Sequence, residues 1–240
     1  MWLALDTASD WASVAFGKPQ EGRTAVEENV QGARRHAAAL LPMIQGLLTR
    51  AGARLDDLRG IVLSDGPGSF TGLRVGASAA KAMAHARGLP IWTAPSLLVR
   101  AAHVAGPESL VLAVSNALRG EVYAAAYRFS PEGIRTELVP SVRRPVDIVS
   151  LGFQPDIVVG EAPPPVLEKL HEWTGKAVIG PPAGAPHAAA LLDLVGCAGG
   201  AREILSVGQW EPTYGRPAEA QARWESTHGR PLPDSVGSPG

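Results

Sequence analysis

The chain lacks three things: cysteines that could pair, long hydrophobic runs and an excess of positive charge. It has one cysteine, Cys197, so an intramolecular disulfide is impossible and nothing requires an oxidising compartment. Charge or proline interrupts every alanine-rich segment before it reaches the roughly 18 apolar residues of a membrane span. The start, MWLALDTASD, lacks the basic and apolar regions of a secretion signal. We therefore expect a soluble cytoplasmic protein with Cys197 in its core.

The charges are almost balanced. The chain has 22 basic and 23 acidic residues, which gives a net charge of -1. Proteins that bind nucleic acid on their own usually carry a basic surplus, so this balance argues against strong autonomous binding of nucleic acid. The hydrophobic content of 45% in 240 residues is enough for one large core or two small ones.

The order of apolar patterns predicts an α/β fold with two halves. WLALD and SVAFG, on either side of a polar turn, are typical of an antiparallel hairpin, and the leucines of HAAALLPMIQGLLTRAG recur at helical spacing. Strands and helices then alternate, and the order partly repeats after residue 108. We predict an N-terminal lobe at 1–105, a C-terminal lobe at 106–224 and a mobile tail at 225–240.

The segment SDGPGSFTGLRVG resembles a phosphate-binding loop, because a buried strand precedes it and a helix follows it. It lacks the lysine that follows the second glycine of a Walker loop. It also lacks the last glycine of a dinucleotide fingerprint, where Thr71 stands instead. The sequence therefore offers only weak nucleotide-binding candidates, which are Asp6, Thr7, Gly66 and Gly68.

The helix after this loop carries small residues every four positions, which form a flat stripe. Such a stripe lets another helix approach closely, either within the same subunit or across a seam with a partner chain. The preceding long helix supplies an apolar neighbour. The candidate interface residues are Leu40, Leu41, Ile44, Leu47, Leu48, Gly72, Gly76, Ala80 and Ala84.

Catalytic patterns are incomplete. Ser78 and Lys81 match S-x-x-K, but the K-T-G element that accompanies it in acylating enzymes is missing. His171 and Glu172 begin an H-E-x-x-H pattern whose second histidine is absent, and no two of the six histidines are four residues apart. We predict neither catalytic residues nor a metal site.

Five segments in family order carry a resemblance to a known family. They are LALDTAS, RRHAAALLPMIQGLL, SDGPGSFTGLRVGASAAKAMA, NALRGEVYAAAY and PTYGRPAEA, and they extend over about residues 2 to 220. Together they resemble TsaB (YeaZ), the bacterial partner of the enzyme that makes threonylcarbamoyladenosine beside the tRNA anticodon. GPGSFTGLR combined with GEVY is the specific part of this resemblance.

The resemblance implies a two-lobed fold of the actin/Hsp70/sugar-kinase (ribonuclease H-like) type, with a mixed sheet and helices in each lobe. It also implies that the chain is a paralogue of TsaD, the catalytic subunit. The metal-binding histidine pair of TsaD-like proteins falls here near Ser96 and Arg100, neither of which can replace imidazole. The family's usual D-A-R before GEVY is Asn116-Ala117-Leu118 in this chain, which removes a carboxylate.

These observations predict a non-catalytic subunit that binds and activates a TsaD-like protein through the candidate interface. A TsaE-like ATPase would join the larger complex, the chain would form a homodimer when alone, and tRNA would be bound only indirectly. No cofactor is expected in the isolated chain, and ATP only in the complex. The alternatives are a peptidase-like enzyme or weak ATPase using Asp6, Ser69 and a histidine, and a direct tRNA-binding module.

Overall fold

The structure is a computed structural model, which describes residues 1–32, 36–117, 120–215 and 227. The predicted tail at 225–240 therefore lies outside the described residues, apart from Thr227. The strands are β1 (Trp2–Asp6), β2 (Trp11–Gly17), β3 (Val26–Gln31), β4 (Gly60–Ser64), β5 (Ile91–Ala94), β6 (Leu110–Asn116), β7 (Val122–Ser130), β8 (Gly133–Arg143), β9 (Ile157–Gly160), β10 (Val178–Ile179) and β11 (Arg202–Glu203). The helices are α1 (His36–Arg50), α2 (Phe70–Arg87), α3 (Ser96–Val104), α4 (Pro145–Val149), α5 (Pro164–Thr174) and α6 (Ala188–Leu194).

The first sheet has the strand order β11-β5-β4-β1-β2-β3. β1 and β2 form the antiparallel hairpin predicted from the sequence, with Leu3 opposite Phe16. β4 is parallel to both β1 and β5, and all five of its residues are buried. Such a continuous apolar strand is expected where helices cover both faces of the sheet.

The second sheet repeats the same plan. Its order is β10-β9-β6-β7-β8, with an antiparallel meander from β6 to β8 and parallel pairing of β6 with β9 and of β9 with β10. Each sheet thus combines three antiparallel strands with two parallel crossover strands, and the first sheet has β11 as a sixth strand, antiparallel to β5. The predicted two-lobed α/β fold, with a mixed sheet and helices in each lobe, is confirmed.

Helices and sheets alternate in five layers. α1 and α2 pack on the outer face of the first sheet, α3 and α6 lie between the two sheets, and α4 and α5 cover the outer face of the second. Apolar side chains of both sheets meet the middle helices, for example Ala4 and Val111 against Leu97 and Leu191. The ends of the parallel strands in both sheets therefore open onto one cleft beside α3.

Four elements were not predicted, namely β8, α4, β10 and β11. β8 is an edge strand in which only Leu138 is buried, and α4 and β11 are short. β11 lies in the second predicted half of the chain but pairs with β5 of the first sheet. Within the described ranges, no helix is long and apolar enough to cross a membrane.

Candidate functional site

The loop between β4 and α2 is held by hydrogen bonds to the chain itself. The amide of Gly66 donates to Ser96 Oγ at 3.0 Å, and the amide of Ser69 donates to the carbonyl of Ala8 at 2.7 Å. The amide of Gly72 donates to Ser69 Oγ, which is the N-cap of α2, at 3.2 Å. A phosphate cradle needs free amides that point at the anion. These three amides are already used.

The glycines are required for close packing rather than for an open cradle. A Cβ at Gly68 would lie 2.2 Å from the carbonyl oxygen of Ala8, and one at Gly72 would lie 2.0 Å from that of Thr7. Gly66 has a φ of +108°, and its Cβ would lie 1.9 Å from the Thr213 carbonyl oxygen. The loop is therefore surrounded by acceptors, which repel the phosphate oxygens that such a loop would otherwise bind.

Asp6 and Thr7, at the end of β1, are both buried. Asp6 Oδ1 accepts from the Ala8 amide at 3.0 Å, while Oδ2 has no hydrogen-bond partner. Burial raises the pKa of Asp6 to about 6, against the opposing effects of the Ala8 amide, Ser64 and the positive charge of Arg100. Thr7 Oγ1 donates to the carbonyl of Gly72 at 2.7 Å and so fastens β1 to α2.

Arg100 lies at the base of the cleft with only 3% of its side chain exposed. Its Nη2 donates to Glu161 Oε1 at 2.6 Å, and its Nη1 donates to the carbonyl of Gly184 at 2.7 Å. Ser96, one turn earlier, accepts from Gly66. The two positions that the family resemblance singled out therefore make structural contacts on both sides of the cleft.

The remaining cleft is small. Asp6, Ser9, Ser96, Arg100 and Ser115 are among its lining residues, and its free volume of about 10 Å³ holds no more than about one water molecule. That no cofactor binds the isolated chain stays a prediction. Among the described residues, no group of three histidine, cysteine or acidic side chains could hold a metal ion.

Most of the candidate interface residues are buried within the protein, so their side chains cannot form a contact surface as the sequence analysis expected. Of the nine, Leu41 alone is well exposed, at 61%. The other eight pack between α1, α2 and the first sheet, because the leucine face of α1 and the small-residue stripe of α2 both point at the sheet and at β1. The interface itself stays a prediction. Its buried candidates are Leu40, Ile44, Leu47, Leu48, Gly72, Gly76, Ala80 and Ala84.

The side chains of the alternative enzyme hypothesis have other partners. Ser69 caps α2, and Lys81 forms an ion pair with Glu211 at 2.9 Å. His103 and His187 stack with ring centroids 3.7 Å apart, and His187 Nδ1 lies 2.8 Å from Glu27 Oε2. Among the described residues, no hydrogen bond or ring contact joins a histidine to Ser69.

Cys197 and Asn116, which the sequence also singled out, are not fully buried. Cys197 is half-buried rather than a full member of the core, and burial raises the pKa of its thiol. Asn116 ends β6 in an exposed position, whereas Leu118 lies outside the described residues.

Glu161 and Gly184 are the site residues that sequence reasoning missed. Glu161 directly follows the buried strand β9, at the sheet edge where functional carboxylates commonly lie. That position was a usable signal. The Gly184 carbonyl left no signal, because any residue can supply a backbone oxygen.

Comparison with known proteins shows three clear similarities. The family model described as TsaD, tRNA N6-adenosine threonylcarbamoyltransferase, matches residues 30–181. The tRNA threonylcarbamoyladenosine biosynthesis protein TsaB of Escherichia coli (strain K12) is 36% identical over 134 residues, which cover 55% of this chain and 57% of that protein. The TsaB protein of Bacillus subtilis (strain 168) is 30% identical over 139 residues, 58% of this chain and 59% of the relative.

The solved structure of YeaZ from Pseudomonas aeruginosa is 30% identical, with a TM-score of 0.66, and the match covers 81% of this chain and 90% of that one. The aligned region thus spans less than two thirds of the two curated relatives but nearly all of the solved structure.

Proposed function

This chain belongs to the TsaB (YeaZ) family, and from that premise we propose that it is a non-catalytic partner subunit in the biosynthesis of tRNA threonylcarbamoyladenosine. The observation that carries the non-catalytic part is the glycine loop. Its amides at Gly66, Ser69 and Gly72 donate to the chain's own oxygens, so they are not free to bind a phosphate.

The proposed partner is a TsaD-like subunit, with a TsaE-like ATPase in the larger complex. The outward faces of α1 and α2 form the docking surface, and the isolated chain uses the same faces to form a homodimer. The two helices lie side by side on the first sheet. Half of their exposed positions are small or apolar, namely Ala37, Ala38, Leu41, Pro42, Ser78, Ala82 and Ala86. The other half are polar or basic, namely Gln45, Thr49, Arg50, Thr71, Arg74, His85 and Arg87.

The interface is tested by placing a charge on this surface without disturbing the core. Leu41→Asp and Ala82→Asp, both at exposed positions, should weaken association with the TsaD-like subunit of the source organism by at least about 10-fold, because an uncompensated charge is desolvated on binding. Leu205→Asp is the matched control, since Leu205 is also an exposed leucine but lies outside both helices. Co-purification and calorimetry measure association, and circular dichroism checks the fold.

The function is tested separately by an in vitro tRNA modification assay with each subunit omitted in turn. We expect no modified tRNA without this chain, and no modification or ATP hydrolysis by this chain alone. Full modification in its absence would refute the proposed function. Normal association of both charged variants would refute only the location of the interface.

A further inference from the structure

Helix α3 is bonded to both sides of the interlobe cleft. At its first residue, the Ser96 amide donates to the carbonyl of Gly66 at 2.8 Å, and the Gly66 amide donates back to Ser96 Oγ at 3.0 Å. Gly66 belongs to the loop that follows β4 of the first sheet. This reciprocal pair fixes the start of α3 to the first lobe.

One turn later, Arg100 fixes the same helix to the second lobe. Its guanidinium donates to Glu161, which follows β9, and to the carbonyl of Gly184, which lies between β10 and α6. Because residues i and i+4 share one face of a helix, Ser96 and Arg100 both face the cleft. Both residues also line its remaining volume.

Charged groups of both lobes meet at Arg100 in the cleft. Asp6 of the first lobe and Glu161 of the second contribute carboxylates, and the buried Arg100 acts on both. The guanidinium donates one charge-assisted hydrogen bond to Glu161 and a second hydrogen bond to the Gly184 carbonyl, and its planar shape makes both bonds directional. Side chains of the chain itself therefore bridge the two walls of the cleft.

We propose that Ser96 and Arg100 make α3 an internal clasp, which holds the two lobes at the closed spacing without any ligand. The clasp goes beyond the proposed function, because it concerns the conformation of the isolated chain. In this view Arg100 is the decisive residue, since the Glu161 and Gly184 bonds are both lost when it is replaced.

The test measures the distance between the lobes directly. Spin labels are attached at Thr49 and Glu168, exposed positions on helices that cover opposite outer faces of the molecule, in a Cys197→Ser background. The labelled chain is diluted with excess unlabelled chain, so that only distances within one protomer are measured. We expect one narrow distance distribution for the parent and a broader distribution with a longer mean for Arg100→Met. Methionine keeps an apolar stem but removes both bonds.

Amide exchange gives a second readout. Exchange at Gly66 and Gly184 should become at least about 10-fold faster in Arg100→Met, since loss of a charge-assisted hydrogen bond has about this effect on a local equilibrium. Arg128→Met is the matched control, because Arg128 pairs with Glu137 on the second sheet and spans no cleft. Its distance distribution should equal that of the parent.

Glu161→Gln keeps the test decisive if Arg100→Met fails to fold. It preserves the shape of the side chain while removing its charge, and it should broaden the distance distribution in the same direction. Parental distances and parental exchange in the folded variants would overturn the proposal, and would reduce Arg100 to an ordinary packing residue.

Discussion

Two glycines of α2 pack directly against Thr7 at the end of β1. Gly72 is a helical residue that lies directly beneath the carbonyl of Thr7, and Gly76, one turn later, lies beneath the hydroxyl of the same residue. Both glycines therefore allow α2 to approach β1 closely. The sequence pattern was compatible with close approach to a partner, but the contact is internal.

Gly72→Ala should destabilise the chain by at least about 3 kcal/mol, because its Cβ would lie 2.0 Å from a backbone oxygen that cannot move without shifting β1. Gly46→Ala is the matched control in α1, where the nearest atom is 3.8 Å away, at the end of the Arg50 side chain. It should stabilise the chain by about 0.5–1 kcal/mol, since alanine favours a helix. Urea unfolding followed by circular dichroism measures both, and equal effects would contradict the assigned packing.

Asp6 should make the stability depend on pH. Its folded pKa of about 6 lies above its ordinary value of 3.8, so the folded state binds the proton more tightly. The corresponding stability is complete below about pH 4 and is lost as the pH rises through about 6, with a total of about 3 kcal/mol. Asp6→Asn cannot ionise and should lack this loss.

The free energy of unfolding of Asp6→Asn relative to the parent should therefore rise by about 3 kcal/mol between pH 4 and pH 8. Parallel urea titrations at several pH values measure it. Asp56→Asn, at an exposed aspartate, serves as the comparison. A difference between Asp6→Asn and parent that stays constant over this range would show that Asp6 does not titrate as described.

At the scale of elements, α6 is held on the first sheet by one polar cluster. Glu27 of β3 binds His187, Ser13 and the amide of Ala189, and Ser13 Oγ accepts from the amide of Ala188. α6 has only seven residues, so its own hydrogen bonds stabilise it little. This cluster fixes where the helix starts.

The pKa values in this cluster shift in opposite directions. Burial works to raise the pKa of Glu27, but His187 and the Ala189 amide outweigh it and lower the value. The hydrogen bond to Glu27 raises the pKa of His187 against the effect of burial. The pair therefore stabilises the fold most between the ordinary values of about 4.5 and 6.5, and loses strength outside this range.

Glu27→Gln should lower the free energy of unfolding by about 1–3 kcal/mol near pH 5.5, because it removes a charge-assisted bond in a partly buried site. The effect should shrink towards pH 8. Glu28→Gln is the neighbouring control, since Glu28 forms a more exposed ion pair with Arg50 and should change stability by less than about 1 kcal/mol. Thermal melts at both pH values measure the effect, and equal losses for the two variants would contradict it.

The helical pattern of α1 and α2 was predictable, but the direction of their apolar faces was not. Apolar residues at helical spacing identify a face that is removed from water, whether by the same chain or by a partner. Leu40 and Ala80 show the first case, whereas Leu41 remains exposed. Burial against the sheet can be established only from the tertiary structure.

At the scale of the whole molecule, repeated local patterns made the two-lobed fold predictable. The β1–β2 hairpin and the strand–loop–helix from β4 to α2 have local signals of period two and 3.6. β8 was missed because Leu138 is its only fully buried residue, so it lacks the apolar alternation of a half-covered strand. The short β11 forms only because β5 offers it a free edge.

The sequence predicted where the candidate site lies, but it did not predict that the cleft is closed. The glycines and Asp6 located the cleft, because they follow buried strands. Its closure depends on Arg100 contacting partners 61 and 84 residues away along the chain. Such distant contacts leave no periodic trace in a single sequence.

The pairing of β11 with β5 has a consequence for biosynthesis. A ribosome makes the other strands of the first sheet by residue 94, yet the edge that closes this sheet emerges more than a hundred residues later, after the entire second sheet. The edge of β5 therefore stays unpaired while the residues between β5 and β11 are translated. Synthesis of Arg202 and Glu203, rather than completion of the first lobe, sets the moment at which this sheet can acquire its last strand.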